Sequence, residues 1–257
     1  MKHWLAPALL GLLVLAGWEA AVRWQGIPPY ILPGPLAIWG ALVADWPLLW
    51  SSLLATLRIA LLALALAVAV GVALAILFAQ SRWMERALFP YAVILQVTPI
   101  VAIAPLILIW VESVTAALLI CAWLVAFFPI LSNSVLGLNS ADRHLHELFR
   151  LHGATRWQTL LILRLPSALP FFLGGLRVAG GLALIGAVVA EFVAGAGGAG
   201  SGLAFRILEA GYQLRIPRMF AALALISLAG IAIFGVLGLV QHLALRRWHE
   251  SALGEDR

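Results

Sequence analysis

Residues 147–166 read ELFRLHGATRWQTLLILRLP, and this polar stretch lies between two long apolar runs. The whole chain is 64% hydrophobic and has a mean hydropathy of +1.06. Its charged residues amount to 11%, against about 25% in an ordinary soluble domain. Such a composition indicates a polytopic membrane protein. A simple connection between two spans needs only a few residues, so the charged stretch is a candidate functional segment.

A helix needs about 20 mostly apolar residues to cross the hydrocarbon core of a bilayer. Six segments meet this requirement, so we predict an all-α, polytopic membrane protein with six transmembrane helices. They cover residues 4–22, 53–79, 87–110, 114–137, 168–193 and 217–245. The first segment is also compatible with a cleaved signal peptide, although a small-residue cleavage site is poor there.

The predicted organisation has three parts and includes no soluble domain. Residues 1–50 form an N-terminal transmembrane helix with an outer-surface segment, and 251–257 form a cytoplasmic tail. Residues 51–250 form a core of five transmembrane helices, with a cytoplasmic loop at 139–167. Residues 35–50 are predicted to form a short amphipathic helix at the outer surface. Its interfacial anchors are Trp39, Trp46 and Trp50.

The distribution of basic residues predicts the orientation. With the N-terminus inside, ten of the 16 lysines and arginines lie on the cytoplasmic side and five on the other side, with Arg177 inside a span. The positive-inside rule then places both termini in the cytoplasm. The glycine-rich stretch at 194–202 falls on the outer side, where we expect a flexible loop that contacts a binding protein.

Several functions are excluded or disfavoured by residue types. Lys2 is the only lysine, so a phosphate-binding loop that needs a lysine is absent, and any ATP must bind to another chain. Cys121 is the only cysteine, which excludes a disulfide within one chain. His144 and His146 point in different directions on a helix, so no metal site is predicted. No clustered acid and base groups suggest an enzyme.

The 147–166 stretch itself predicts two short helices. Ser140 is placed to cap the first helix, whose apolar positions recur at helical spacing. Gly153 is expected to end that helix in the left-handed conformation. Thr155 and Gln158 form a capping-box signature for the second helix, which we expect to end before Pro166. The apolar positions of the first helix are Leu145, Leu148, Phe149 and His152.

Two interpretations of this helical hairpin follow from its pattern. An exposed apolar tip on a cytoplasmic loop is typical of a helix that docks into a groove of another protein. The alternative is a surface hairpin that lies on the lipid headgroups, with its arginines on anionic lipid. The pattern alone does not separate them.

The spacing of this stretch also resembles a known motif. Glu147, Gly153 six residues later, and the closing 163–166 run Leu-Arg-Leu-Pro resemble the EAA loop (E-A-A-x3-G-x9-I-x-L-P) of ABC importer permeases. Leu148 and Phe149 replace the two alanines of the motif. The glutamate, the glycine and the Leu-Pro pair are kept.

Other segments, in the same order as in the family, resemble permeases of the nitrate, sulfonate and taurine type. Two departures, at 110–112 and 200–203, leave the subfamily and the solute open. The solutes of related permeases include nitrate, taurine, alkanesulfonates, and pyrimidine or flavin vitamin precursors. The matching segments are Leu32-Pro33-Gly34-Pro35, Ser52 with Thr56-Leu57-Arg58, Leu95-Gln96-Val97-Thr98-Pro99, Ala104 to Trp110, Gly175-Leu176-Arg177 and Val189-Ala190-Glu191.

The resemblance implies the fold of a type I (MetI-like) ABC importer permease in the bacterial inner membrane. It implies a second copy of the chain, two cytoplasmic ATP-binding subunits that hold ATP and Mg, and an external solute-binding protein, with no nucleic acid. The 139–167 loop would then be the coupling loop that contacts the ATPase. Its implied contact residues are Glu147, Leu148, Phe149, Arg150, His152, Gly153, Arg156 and Pro166.

Four residues are candidates for a translocation path or gate. Gln96, Thr98 and Pro99 lie inside an apolar span, where they either line a polar path or form a kink satisfied by neighbouring helices. Glu191 is the carboxylate near the end of the fifth span, and it is either a gate residue or an outer-interface carboxylate bonded to local backbone. Small residues recur every fourth position from Gly175 to Ala187, either for packing within one chain or for a dimer contact.

An ATP-independent secondary transporter or channel is the alternative function. It predicts transport driven by a gradient alone, and it is typically built with broken helices and paired charges inside the membrane. The sequence shows few such features.

Overall fold

The computed structural model describes residues 5–195 and 200–246, and within these ranges the chain is helical. The predicted tail at 251–257, the centre of the glycine-rich loop at 196–199, and Lys2 lie outside the described residues. The elements in chain order are α1 (Leu5–Trp24), α2 (Pro35–Ala44), α3 (Trp46–Gln80), α4 (Arg82–Val97), α5 (Ile100–Trp110), α6 (Val114–Leu138), α7 (Arg143–Leu151), α8 (Arg156–Gln158), a π-helical segment (Thr159–Arg164), α9 (Leu165–Ala194), α10 (Leu203–Tyr212) and α11 (Ile216–Leu245).

Five of these helical stretches are long and apolar enough to cross a membrane, and a sixth span results if the bent pair α4 and α5 counts as one. This confirms the all-α fold class with five to six candidate spans, against the six predicted. The helix predicted at 87–110 was wrong as a continuous helix, because α4 and α5 are bent by 100° at a break. Proline 99 lies at that break and disfavours helical backbone in the residue before it.

The surface helix predicted at 35–50 was also wrong in its bounds. Helix α2 ends at Ala44, and α3 begins at Trp46 and continues to Gln80. Asp45 lies between them and is the C-cap residue of α2. Trp46 and Trp50 therefore belong to the first turns of a long helix, where their rings stack at 5.4 Å.

The chain divides into two compact units, Met1–Thr56 with Gly195–Leu228 and Leu57–Ala194 with Ala229–Arg257. The first unit is stabilised by polar contacts of arginines. Arg218 donates two hydrogen bonds, of 2.6 and 2.7 Å, to the carboxylate of Asp45. Arg206 bonds both Ser52 and Glu209. A bidentate Arg–carboxylate pair fixes geometry as well as charge, so these bonds set the positions of α10 and the start of α11.

The second unit is built around the packing of α6 against α9. The close approach depends on small residues, since Gly175 lies against Pro129 and Asn133 of α6, and Gly186 lies against Ala122. The predicted ridge from Gly175 to Ala187 is buried in this contact. The interpretation of the ridge as packing within one chain is therefore the one that the structure supports.

An arginine within the fifth span has an aromatic partner. The guanidinium of Arg177 lies 3.7 Å from the ring centroid of Phe234, and Gly238 leaves room beside it. A cation over an aromatic face is stabilised by the ring quadrupole, most strongly where water is excluded. This contact explains how a charged side chain is accommodated between two apolar helices.

Candidate functional site

The first helix of the predicted hairpin is α7, and its cap differs from the prediction. The carboxylate of Asp142 accepts a 2.6 Å hydrogen bond from the backbone N–H of His144 and is the N-cap. The predicted cap, Ser140, was wrong: its hydroxyl donates to the carbonyl of Gly137 at 2.8 Å. Because α6 continues to Leu138, Ser140 is too near the end of that helix to start the next one.

The turn at Gly153 has the predicted left-handed conformation, with φ of +70°. The N–H of Gly153 bonds the carbonyl of Arg150, and the N–H of Ala154 bonds the carbonyl of Phe149. These two bonds form a Schellman motif, which satisfies carbonyls at the end of α7. The turn between the two helices is therefore fixed by backbone bonds.

The second helix has its predicted capping box but not its predicted end. Gln158 N–H donates to the hydroxyl of Thr155 at 3.2 Å, and Thr155 N–H donates to the Gln158 side chain at 2.8 Å. The expectation that this helix ends before Pro166 was wrong, because helix continues from Arg156 to Ala194. The π-helical segment precedes the proline, and the N–H of Leu165 bonds the carbonyl of Leu160 five residues earlier. Pro166 is the second residue of α9 and directly follows the π-helical segment.

The hairpin (residues 143–158) exposes apolar side chains, as predicted, but not all at the predicted positions. Leu148 is 47% exposed and His152 is exposed, whereas Phe149 is half-buried. Leu151 is 84% exposed and Trp157 63%, and the sequence interpretation did not include Leu151. Its position directly before the turn is the signal that could have identified it.

The inner side of the hairpin lines a cleft of about 970 Å³, which also includes the turn between α3 and α4. Glu147, Arg150 and Arg156 lie together in this cleft. The guanidinium of Arg156 donates to the carbonyl of Gln80 at 3.4 Å, and Arg164 donates to the carbonyl of Ala79 at 2.6 Å. Both carbonyls belong to the last turn of α3, where cations are favoured by the helix dipole.

A second candidate site lies at the break between α4 and α5. Thr98 has extended backbone with ψ of 123°, and its hydroxyl donates to the carbonyl of Ile94 at 2.7 Å. Pro99 is the N-cap residue of α5. The hydroxyl thus bonds a carbonyl in the last turn of α4, and the proline begins a helix in a new direction.

The break opens a cavity of about 500 Å³, and its lining brings together three of the predicted path residues. These are Gln96, Thr98 and Pro99, and residues of α6 and α9 complete the wall. Glu191, the fourth predicted residue, is buried near the end of α9 and does not line this cavity. Among the described residues that line it, Gln96 and Thr98 have the polar side chains, and the others are aliphatic or proline.

Several apolar spans with an exposed helical hairpin before one of them are the architecture of a membrane transport subunit. The chain belongs to the family described as binding-protein-dependent transport system inner membrane component, whose model matches residues 67–248. It is therefore the permease component of an ABC import system for a small solute, and it is a transport subunit rather than an enzyme. The family works in the inner membrane with ATPase and substrate-binding protein partners.

Individual relatives are similar over nearly the whole chain. A riboflavin transport system permease protein of Chloroflexus aurantiacus is 41% identical over 244 residues, covering 93% of this chain and 88% of that protein. A formylaminopyrimidine transport permease protein of Halalkalibacterium halodurans is 36% identical, covering 94% and 95%. A putative aliphatic sulfonates transport permease protein of Escherichia coli is 32% identical, covering 90% and 88%.

The fold has a solved counterpart. The crystal structure of an amino acid ABC transporter with histidines matches with a TM-score of 0.65, covering 78% of this chain and 95% of that chain. At 19% sequence identity the likeness concerns the fold alone. The broken span is a feature that also fits the alternative of a secondary transporter, and the family match decides against that alternative.

Proposed function

We propose that the chain acts as a homodimer in which each 143–158 hairpin seats in a cleft of a cytoplasmic ATPase, with both chain termini in the cytoplasm. The supporting observation is the exposure of Leu148, Leu151 and Trp157 on a hairpin whose turn is fixed by backbone hydrogen bonds. Large apolar side chains on a rigid segment are the usual anchors of a protein interface. ATP and Mg belong to the partner ATPase in this proposal.

The continuity of the helices supports a mechanical link between the proposed ATPase contact and the spans. From Arg156 the chain is helical without interruption to Ala194, so the hairpin continues directly into the fifth span. Helix α9 packs against both α5 and α6. Those two helices and α9 contribute to the wall of the cavity at the break. A displacement of the hairpin is therefore expected to change the shape of that cavity.

We further propose that the cavity at the break, with Gln96, Thr98 and Pro99, is part of the translocation path. We also propose that Glu191, which lies outside this cavity near the end of α9, is a gate residue. The cavity is within the size range of small-molecule sites. Two neutral polar side chains among aliphatic ones suit an uncharged solute with hydrogen-bonding edges. Together with the riboflavin and formylaminopyrimidine relatives, this favours a pyrimidine or flavin vitamin precursor over a sulfonate or nitrate.

The coupling proposal is tested by a double substitution, Leu148→Asp with Leu151→Asp. Both side chains are exposed, so the substitutions leave the packing of the chain intact but place two carboxylates in the proposed contact. We expect copurification of the ATPase and ATP-driven uptake in proteoliposomes with the binding protein to fall at least about tenfold, since buried apolar anchors each contribute more than about 1 kcal/mol.

The matched control is Tyr212→Asp, which changes an 86% exposed side chain at the end of α10. Uptake by this variant should equal that of the unmodified protein. The coupling proposal would be refuted by uptake at the unmodified level in the double variant, with the same amount of protein in the membrane.

A further inference from the structure

The cleft on the inner side of the hairpin has a strong excess of positive charge. Five arginines line it, against one carboxylate, that of Glu147. Five positive charges and one negative charge leave a formal charge of +4, with His146 taken as neutral. The arginines are Arg82, Arg143, Arg150, Arg156 and Arg164.

Carboxylates neutralise only part of this charge among the described residues, namely Glu147 and Glu85, which lies near enough to interact with Arg164. Arg156 and Arg164 donate to backbone carbonyls, which orient the guanidinium groups but do not neutralise them. Arg143 and Glu147 form an ion pair at 3.4 Å, with side chains 90% and 60% exposed. Pairs as exposed as this one are weak because water and salt screen them. A cleft of about 970 Å³ with this charge is suited to an anion.

The position of the cleft along the chain identifies the kind of anion. The apolar helix α3 ends at Gln80, and the apolar stretch Arg156–Ala194 begins at the same cleft. Both ends of membrane-spanning helices lie where lipid headgroups lie. Basic pockets at the cytoplasmic ends of membrane-spanning helices are typical sites for anionic lipid headgroups.

The neighbours of the arginines support a lipid rather than a free phosphate ion. Trp83 follows Arg82 and is 76% exposed. Leu161 and Ile162, just before Arg164, are 59% and 62% exposed. Tryptophan is typical of the membrane interface, and exposed aliphatic side chains beside it provide a surface for acyl chains. A free phosphate would use the arginines and leave these side chains without a function.

We propose that this cleft binds the phosphate headgroup of an anionic phospholipid. The headgroup would lie between Arg82 at the start of α4 and the arginines of α7. A bound lipid would thereby hold the base of the hairpin against the turn between α3 and α4. This role uses the arginines of the cleft, whereas the test of the proposed ATPase contact uses Leu148 and Leu151, which do not line it.

The test is performed on the purified full-length chain, without ATPase, binding protein or solute. The protein is reconstituted in phosphatidylcholine nanodiscs with or without phosphatidylglycerol, and retained phosphatidylglycerol is measured by native mass spectrometry. We expect the double variant Arg82→Gln with Arg143→Gln to retain about tenfold less of this lipid, because each arginine at a bilayer surface contributes to anionic-lipid binding. Neither residue is among the apolar side chains, Leu148, Leu151 and Trp157, that carry the proposed ATPase contact.

The matched control is Arg58→Gln, which removes an exposed arginine of α3 that does not line the cleft. It should retain the lipid as the unmodified protein does. Thermal unfolding in phosphatidylcholine alone checks that the double variant is folded, and its midpoint should be unchanged.

Two results would overturn the proposal. One is equal retention of phosphatidylglycerol by the double variant and the unmodified protein. The other is loss of the retained phosphatidylglycerol when inorganic phosphate is added, which would make the cleft a site for a soluble anion. Because every measurement uses the permease alone, the result does not depend on whether the coupling proposal is correct.

Discussion

Gln96 is the longest polar side chain in the cavity at the break between α4 and α5. Substitution of this one residue tests the proposed solute path. Replacing it by leucine keeps the volume similar and removes the amide. If the amide binds the polar edge of a vitamin precursor, Gln96→Leu should lower uptake about two- to tenfold, because one hydrogen bond contributes about 0.5–1.5 kcal/mol. The measurement is uptake of labelled riboflavin or a pyrimidine precursor in proteoliposomes.

Two comparisons make this result specific. Copurification of the ATPase should not change in Gln96→Leu, which separates a path defect from a coupling defect. Gln213→Leu, an exposed glutamine outside the cavity, should transport normally. Normal uptake by Gln96→Leu would remove Gln96 from the path.

At the residue scale, the sequence predicted the turn and cap conformations of the hairpin but not which of its apolar side chains are exposed. The left-handed Gly153 and the Thr155–Gln158 capping box depend on a few neighbouring backbone groups, so the sequence predicts them correctly. The partial burial of Phe149 and the exposure of Leu151 depend on what packs against the hairpin. No short-range pattern contains that information.

At the scale of elements, the contact between α6 and α9 makes a prediction with an internal control. A Cβ at Gly175 would lie 2.7 Å from Cβ of Asn133 and 2.8 Å from the carbonyl oxygen of Pro129. That oxygen already accepts a bond from the Asn133 side chain. Gly175→Ala should therefore lower the free energy of unfolding by about 1–3 kcal/mol, the usual cost of overpacking. Thermal unfolding in detergent measures it.

The neighbouring glycine gives the opposite expectation. A Cβ at Gly174 meets nothing within 4 Å, and alanine is the better helix former by about 0.5–1 kcal/mol. Gly174→Ala should leave stability unchanged or raise it. Equal destabilisation by both alanines would mean that the α6–α9 contact is looser than described.

The spans themselves were predictable because hydropathy is a property of composition over about 20 residues. The first, fourth and sixth predicted spans agree with α1, α6 and α11 to within a few residues. The break at Pro99 was not predictable in size, since a proline only disfavours helix before it and the 100° bend depends on packing. Helix α10 was missed because its arginine, Arg206, is held by a tertiary bond to Ser52 as well as by Glu209 of the same helix.

At the scale of the whole molecule, the bent pair raises a question of topology, because α4 and α5 could form one span or a re-entrant loop. The hydrogen bonds that line the cleft on the inner side of the hairpin distinguish these two topologies. Arg156 and Arg164 bond the carbonyls of Gln80 and Ala79, so the end of α3 and the hairpin lie on the same side of the membrane. Since α6 crosses once between Trp110 and the hairpin, α4 and α5 together must also cross once. The contacts therefore support six spans.

This topology predicts on which side two engineered cysteines react. Native Cys121 is 1% exposed and should not react with a membrane-impermeant maleimide, so it provides the background. Leu151→Cys replaces an 84% exposed side chain in the hairpin, and Glu112→Cys replaces an exposed side chain between α5 and α6. With cytoplasmic termini, Leu151→Cys should be labelled only in inside-out vesicles and Glu112→Cys only in intact cells or spheroplasts. If α4 and α5 form a re-entrant loop, the two cysteines cannot both follow this pattern.

Added ATPase should also protect Leu151→Cys from labelling but leave Glu112→Cys unaffected, which joins the test of topology to that of the proposed contact. Labelling of Leu151→Cys from outside would place the hairpin beyond the reach of any cytoplasmic ATPase.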